Sequence, residues 1–321
     1  MISHSETDAR AARHRPWRRY LGYTAAVAAV ALAGFLLYRT LSRYDWAELV
    51  SAVAAVSFDR LLIAICFAAA SYLSLTGFDF LALRYAGHPL SYRRAALASF
   101  TSLSIGHNIG LAALSSGALR YRFYSRWGLG AGDVAKVILF CALTVALGLS
   151  ILGGVALLFH PDLAVQVMGV PRGSVYFVGA ACLVWPALYL FLTATIKHPL
   201  RFRGRSLALP SLRLALGQAI IGSVNFAFVA AALHQAIAAL QDVPYLAVAS
   251  VYVTANVATL VTHAPGGLGV VESVVLFLLP HAKLIGAVLV FRFVYFLLPL
   301  VLGSVLLVSS ELVLSRPAGT S

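Results

Sequence analysis

Asp79, Arg120, Glu272 and Arg292 stand inside stretches otherwise built mostly from alanine, leucine, valine and phenylalanine. A charge removed from water is costly, so an ionisable group in such a setting needs a partner or a task. Glu272 and Arg292 lie in adjacent elements and are candidates for an ion pair. Such a pair either locks two helices or opens when a group carrying both charges enters. Arg120 directly follows the Ser115-Ser116-Gly117 stretch and Leu119, and a guanidinium can hold a phosphate with two parallel donors. Arg122 belongs to the same cluster. Asp79 is close in sequence to Arg84, and an interfacial pair between them weighs as much as a buried role. His107-Asn108 and His263 sit at breaks rich in glycine, whereas His234 and Asn256 read as hydrogen-bonding glue between helices. The histidines show no i, i+4 spacing, so no metal site is expected. Ser115 or Ser116 with His107 or His263 could be cast as nucleophile and base. The local pattern Ala113-Leu114-Ser115 lacks the glycine that precedes the nucleophile in the known elbow. No catalytic residue and no cofactor are assigned, and the chain reads as non-enzymatic.

Elements that could position these groups are long and apolar. The chain has 321 residues, 61% of them hydrophobic and 11% charged. A soluble domain carries roughly 25% charged residues, so there is too little charge here to cover a wet surface. A crossing of about 30 Å of hydrocarbon needs roughly 20 mostly apolar residues. Spans are expected at 20–40, 58–83, 134–160, 172–195, 211–239 and 284–312. An open sheet would leave unpaired edges in lipid, and the alternation of a membrane barrel is absent. The fold class is therefore an all-α polytopic membrane protein. Cys66, Cys141 and Cys182 lie in apolar runs and read as small lipid-facing or core residues.

Two further apolar stretches, 93–119 and 245–281, are interrupted near their middles. The first contains Ser104-Ile105-Gly106-His107-Asn108-Ile109-Gly110, then Ser115-Ser116-Gly117. The second contains Thr262-His263-Ala264-Pro265-Gly266-Gly267-Leu268-Gly269. Broken polar backbone at membrane depth survives only where protein or a wet cavity surrounds it. The formal charge of +13 is distributed as the positive-inside rule would place it, which argues against a nucleic-acid partner and for anionic headgroups. A basic tail, 1–19, holds Arg10, Arg13, Arg15, Arg18 and Arg19, so the N-terminus is expected in the cytoplasm. Loops around Arg84, Arg93 and Arg94, around Arg120, Arg122, Arg126 and Lys136, and around Lys197, Arg201, Arg203, Arg205 and Arg213 are also basic. Both ends of 93–119 then face one side, so this segment is expected to dip in and return as a re-entrant hairpin. The same order of elements recurs in 20–160 and 172–312, with opposite starting sides. That is the pattern of an inverted repeat, whose paired breaks mark a substrate site near the midplane. A short amphipathic helix is expected at 45–56, at the outer interface. Tyr121, Phe123, Tyr124 and Trp127 suit an interfacial belt. A short tail, 313–321, closes the chain.

The stretch from Gly117 to Gly128 (GALRYRFYSRWG) resembles a signature of the transmembrane flippase region of lysylphosphatidylglycerol synthases, the MprF family. Three further motifs fit it in order: Ser104–Gly110, His263–Glu272 (HAPGGLGVVE) and Phe291–Pro299 (FRFVYFLLP). The resemblance covers nearly the whole chain. It implies a helical lipid-handling domain in a bacterial cytoplasmic membrane, which in bifunctional members moves an aminoacylated lipid between leaflets. The soluble synthase part is not found here, which implies a standalone member; some standalone relatives are tied to hopanoid or other lipid transport. Family members often carry a glutamate midway along the 211–239 span. Asn225 stands here instead, which counts against a lysyl lipid if that carboxylate recognises a cationic headgroup. By motif, roles fall first on Arg120, Glu272 and Arg292, then on Asp79, then on the breaks with His107, Asn108, Ser115, Ser116, Gly117, His263, Pro265, Gly266 and Gly267.

The expectation is a lipid flippase or transporter whose partners are membrane phospholipids. The competing expectation is a non-transporting partner of a separate lipid-modifying enzyme.

Overall fold

The computed structural model describes residues 46–109, 112–196, 200–202, 205–207, 209–279 and 284–314. The expected 20–40 span and both chain tails lie outside the described residues. Helix α1 (Trp46–Ala55) is followed by α2 (Phe58–Tyr85), α3 (Tyr92–Ile109), α4 (Ala112–Arg126), α5 (Ala131–Phe159), α6 (Asp162–Met168) and α7 (Arg172–Thr195). After a two-stranded hairpin come α8 (Leu212–Ala238), α9 (Tyr245–Thr262), a 3₁₀ turn at Pro265–Gly267, α10 (Val270–Leu278) and α11 (Leu284–Arg292). A π-helical segment at Phe293–Leu297 joins α11 to α12 (Leu298–Leu314).

Among the described residues, six helical stretches are long and apolar enough to cross a membrane: Phe58–Tyr85, Ala131–Phe159, Arg172–Thr195, Leu212–Ala238, Tyr245–Thr262 and Leu284–Ser310. The protein is a multi-pass membrane protein. Five of these match the expected spans. The sixth, α9, is the first part of the interrupted 245–281 stretch, whose length also allows a full span followed by a short dip, and its 18 residues before the break are themselves a candidate crossing. At about 1.5 Å per residue it is about 27 Å long, close to the thickness of the hydrocarbon.

Helices α2, α5 and α8 pack against one another at the centre. Lipid tails are as apolar as leucine, so close backbone approach replaces hydrophobic exclusion as the force between membrane helices. At the α5–α8 crossing, a Cβ on Gly148 would stand 2.4 Å from the carbonyl carbon of Gly222. Two helical backbones therefore touch there, which no larger residue would allow. Helix α7 packs on the outside of α5 and is the least buried of the candidate spans.

Both interrupted stretches fold back on themselves. Helices α3 and α4 form a hairpin whose arms meet where Gly106 faces Ser116; a Cβ on Gly106 would stand 3.0 Å from the Ser116 nitrogen. The arms reach Tyr92 and Arg126, so the hairpin is longer than 93–119 at both ends. Helix α9 turns at His263, where φ is 53°, and passes through Gly266, Gly267 and Gly269 at φ 59°, 61° and 80° before α10 begins. Three glycines in the left-handed region carry most of the reversal at no steric cost, and His263 adopts that region with a side chain.

Several charge assignments change. Arg84, Arg93, Arg94, Arg120, Arg122, Arg126, Lys136 and Arg213 all lie on helices instead of in loops. Long basic side chains can leave an apolar stem on the helix and still reach water. The basic segment after α7 contains a β-hairpin, with Leu200–Phe202 antiparallel to Arg205–Leu207, a departure from a wholly helical chain. The segment expected as an interfacial helix is α1, and it packs against α11. Phe123 and Tyr124 are fully buried, so they belong to the core and not to a belt; Tyr121 is exposed as a belt residue would be.

Candidate functional site

Two arginine–carboxylate pairs, each with a buried arginine, anchor the two hairpins. The first joins α2 to α4. Asp79 is 0% exposed and Arg120 4%. Arg120 Nε donates to Asp79 Oδ2 at 2.8 Å and Nη2 donates to Oδ1 at 2.7 Å, the bidentate fork that suits a guanidinium and a carboxylate. Three more groups face the same carboxylate: the Tyr124 hydroxyl at 2.5 Å, the Ser99 hydroxyl at 3.1 Å and the Cys141 thiol at 3.6 Å. Arg120 Nη1 also donates to Ser116 Oγ at 3.1 Å. Asp79 thus ties α2 to α3, α4 and α5. The pairing with Arg84 considered from sequence is corrected: Arg84 lies over the ring of Phe80, 4.2 Å from its centroid. Residues 79 and 84 are five apart, which puts them on different sides of a 3.6-residue helix. Residues 116, 120 and 124 lie on one stripe of α4, a spacing that could have revealed Tyr124 as the third member.

The second pair joins α10 to α11. Arg292 is 3% exposed and Glu272 15%. Arg292 Nε donates to Glu272 Oε1, and Nη2 donates to Glu272 Oε2 at 2.8 Å. The other donors reach backbone: Nη1 to the Gly266 carbonyl and Nη2 to the Gly267 carbonyl, each at 2.8 Å. Glu272 also accepts from the Gly269 amide at 2.9 Å, closing the first turn of α10 and placing its charge at a helix N-terminus. A single arginine therefore gathers the glycine turn, the helix that follows it and the last span. The pair expected from sequence between Glu272 and Arg292 is present.

The two breaks meet. A Cβ on Gly266 would stand 3.8 Å from the His107 carbonyl oxygen, 4.0 Å from Asn108 Cα and 4.0 Å from Arg292 Nη1. Asn108 Nδ2 donates to the Ser104 carbonyl at 2.9 Å and to the Phe296 carbonyl at 3.4 Å. Phe296 lies in the π segment. Proline at 299 has no N–H, so the carbonyl four residues earlier, on Tyr295, loses its helical donor. The Tyr72 hydroxyl supplies one at 3.3 Å. The Tyr295 hydroxyl in turn lies 3.2 Å from Ser71 Oγ, which donates to Asn225 Oδ1 at 2.7 Å. The tip of the first hairpin, the glycine turn and the π segment thus form one polar junction inside an apolar bundle.

Of the residues singled out from sequence, His107, Asn108, Gly266, Gly267, Glu272 and Arg292 converge on this junction, and the backbone of Pro265 enters the same turn. Asp79, Arg120 and Ser116 form the separate α2–α4 centre. Asn225 is buried and connects to the junction through Ser71 and Tyr295. Four residues do not face the junction as expected. Ser115 Oγ donates to the Gly106 carbonyl at 3.2 Å and clasps the hairpin. Gly117 faces Ile138 on α5, where a Cβ would stand 2.9 Å from its Cδ1, so it allows helix contact. Arg122 points about 200° around α4 from Arg120. His263 is exposed, its ring 3.1 Å from the Val261 carbonyl. His234 Nε2 lies 3.0 Å from the Val243 carbonyl and Asn256 donates to the Tyr252 hydroxyl at 3.0 Å, in keeping with glue. Among the described residues no group of His, Cys, Asp and Glu could hold a metal ion. Ser71, Tyr72, Ser99, Tyr124 and Cys141 were not read as polar partners; single hydroxyls and thiols in apolar runs carry no periodic signal. Cys141 is buried, Cys66 exposed and Cys182 intermediate.

A family model described as the lysylphosphatidylglycerol synthase TM region matches residues 26–303, a range that holds both pairs and both breaks. The uncharacterized protein slr0712 of Synechocystis sp. is 31% identical over 282 residues, 86% of this chain and 87% of that protein. The inner membrane protein YbhN of Escherichia coli is 30% identical over 275 residues, 84% of this chain and 85% of its own length.

Proposed function

The chain belongs to the lysylphosphatidylglycerol synthase transmembrane-region family, and on that premise we propose that it moves a phospholipid between the leaflets of a bacterial cytoplasmic membrane. The observation that carries the reading is the junction where both broken segments meet at Arg292. A lipid headgroup cannot cross hydrocarbon alone, because its charges would lose their hydration. Arg292 and Glu272 together offer one donor fork and one carboxylate. A phosphate can replace Glu272 at the guanidinium, and a headgroup amine, where the lipid has one, can take the freed carboxylate. The Gly266 and Gly267 carbonyls keep Arg292 in place during the exchange. The acyl tails stay in lipid. The two hairpins act as re-entrant elements of an inverted repeat, with the N-terminus in the cytoplasm. The basic helix ends draw anionic headgroups to that side. The chain works as a transporter and not as an enzyme, driven by a lipid or ion gradient.

The test is leaflet exchange in liposomes that contain purified protein and fluorescent phosphatidylglycerol or an aminoacylated analogue, read by dithionite quenching. Exchange is expected with the unsubstituted protein and a loss of most of it with Glu272→Gln. No exchange with either lipid would count against transport and favour a role beside a separate lipid-modifying enzyme. A cysteine-accessibility map tests the topology. Labelling of residues near 88 and near 128 from the outer side would overturn the re-entrant reading.

A further inference from the structure

Where α2 lies along α8, the outer face of the bundle carries a groove of about 360 Å³ with wholly apolar walls, within the roughly 300–1,000 Å³ of small-molecule sites. Gly77 and Gly217, which line it, let the two helices approach closely. A Cβ on Gly77 would stand 2.3 Å from Ile221 Cδ1, and one on Gly217 would stand 3.1 Å from Leu81 Cδ1. Residue 77 is thus opposite 221, and 81 opposite 217. The helices are antiparallel, and the end of α2 lies beside the start of α8. Two arginines stand at that shared end. The Arg84 guanidinium lies 4.2 Å from the centroid of Phe80, a wall of the groove, so its charge is held at the mouth. Arg213 is one turn before Gly217 on α8. Both are exposed, and neither has an ion-pair partner among the described residues. From Arg213 to Val224, the far wall, is about 16 Å along the helix. That is close to half of the roughly 30 Å hydrocarbon layer, one leaflet's depth.

We infer that the α2–α8 groove is a resident-lipid site that holds one acyl chain of an anionic phospholipid, with its phosphate between Arg84 and Arg213. The apolar groove gives room for a chain, the depth selects a single leaflet, and the paired cations select the headgroup. The site shares no residue with the Arg292–Glu272 junction and does not depend on translocation.

A tryptophan reporter at the rim, Ile220→Trp, tests this in vesicles of mixed lipid with brominated chains. Quenching is measured against the same protein without the reporter. Brominated phosphatidylglycerol is expected to reach half-maximal quenching at about tenfold lower lipid fraction than brominated phosphatidylcholine, the order of preference two surface arginines supply. Replacing both cations, Arg84→Gln with Arg213→Gln, is expected to abolish that preference while the phosphatidylcholine curve stays unchanged, which shows the groove is intact. The paired lysine variant should retain the preference. Equal curves for the two lipids with the arginines present, or a preference that survives their removal, would overturn the proposal. So would absence of quenching by either lipid, the result expected if a second copy of the chain covers the groove. None of these readouts changes if leaflet exchange fails.

Discussion

Asp79 and Glu272 each face an arginine across a helical hairpin, yet they are held in different company. Asp79 is sealed, and every partner it has is a side chain from a neighbouring helix. Glu272 retains some exposure, and the arginine it meets is shared with two backbone carbonyls of an unwound turn. A carboxylate with a full set of side-chain donors gains nothing by leaving them. A carboxylate whose arginine has other acceptors can be exchanged at little cost. The first pair therefore reads as a lock between α2 and α4, and the second as a latch.

Substitutions separate the two roles. Asp79→Ala strands a buried guanidinium and is expected to cost about 3–5 kcal/mol, measured as a fall in melting temperature of the purified protein in detergent. Replacing Asp79 and Arg120 together by leucine is expected to recover most of that loss; if the double variant is no better than the single one, the lock has another basis. Tyr124→Phe removes one donor to a charged group and should lower stability by about 2 kcal/mol in the same melt. Glu272→Gln keeps an acceptor for Arg292 and should cost only about 1 kcal/mol while lipid exchange falls. If it melts as early as Asp79→Ala, the contrast between lock and latch fails. Tyr72→Phe leaves the Tyr295 carbonyl without its hydroxyl donor and is expected to cost about 0.6 kcal/mol, typical of a hydrogen bond between membrane helices.

Much of this was readable in the sequence. Runs of apolar residues located α2, α5, α7, α8 and the last span to within a few residues, because lipid imposes a length and excludes charge. Glycine and proline located both breaks, and the Glu272–Arg292 pair followed from two charges next to one of them. The Asp79–Arg120 pair did not follow. Its members are 41 residues apart, and their meeting depends on how α4 folds back over α2, which no local pattern states. Arg84 was the nearer cation in sequence and the wrong one in space. Tyr124 was misplaced because an aromatic residue near a basic cluster looks the same whether it faces headgroups or a buried carboxylate. The π segment had a visible cause in Pro299, but which hydroxyl would satisfy the freed carbonyl depended on α2 packing beside it.

The contact between Gly148 and Gly222 has a mechanical consequence. Most helix pairs interlock through side chains, so turning one against the other forces rotamers past each other. Here two bare backbones meet, one from each half of the chain, so a small tilt turns about that point, with Phe226 beside it and the Gln218 hydrogen bonds to Phe140 and Thr144 one turn away setting its limit. The displacement grows with distance from the fulcrum and is largest at the far helix ends, about 25 Å away at about 1.5 Å per residue. Scissoring of α5 against α8 would thus be cheapest about their middles, and a single methyl at residue 148 or 222 would wedge the pivot apart.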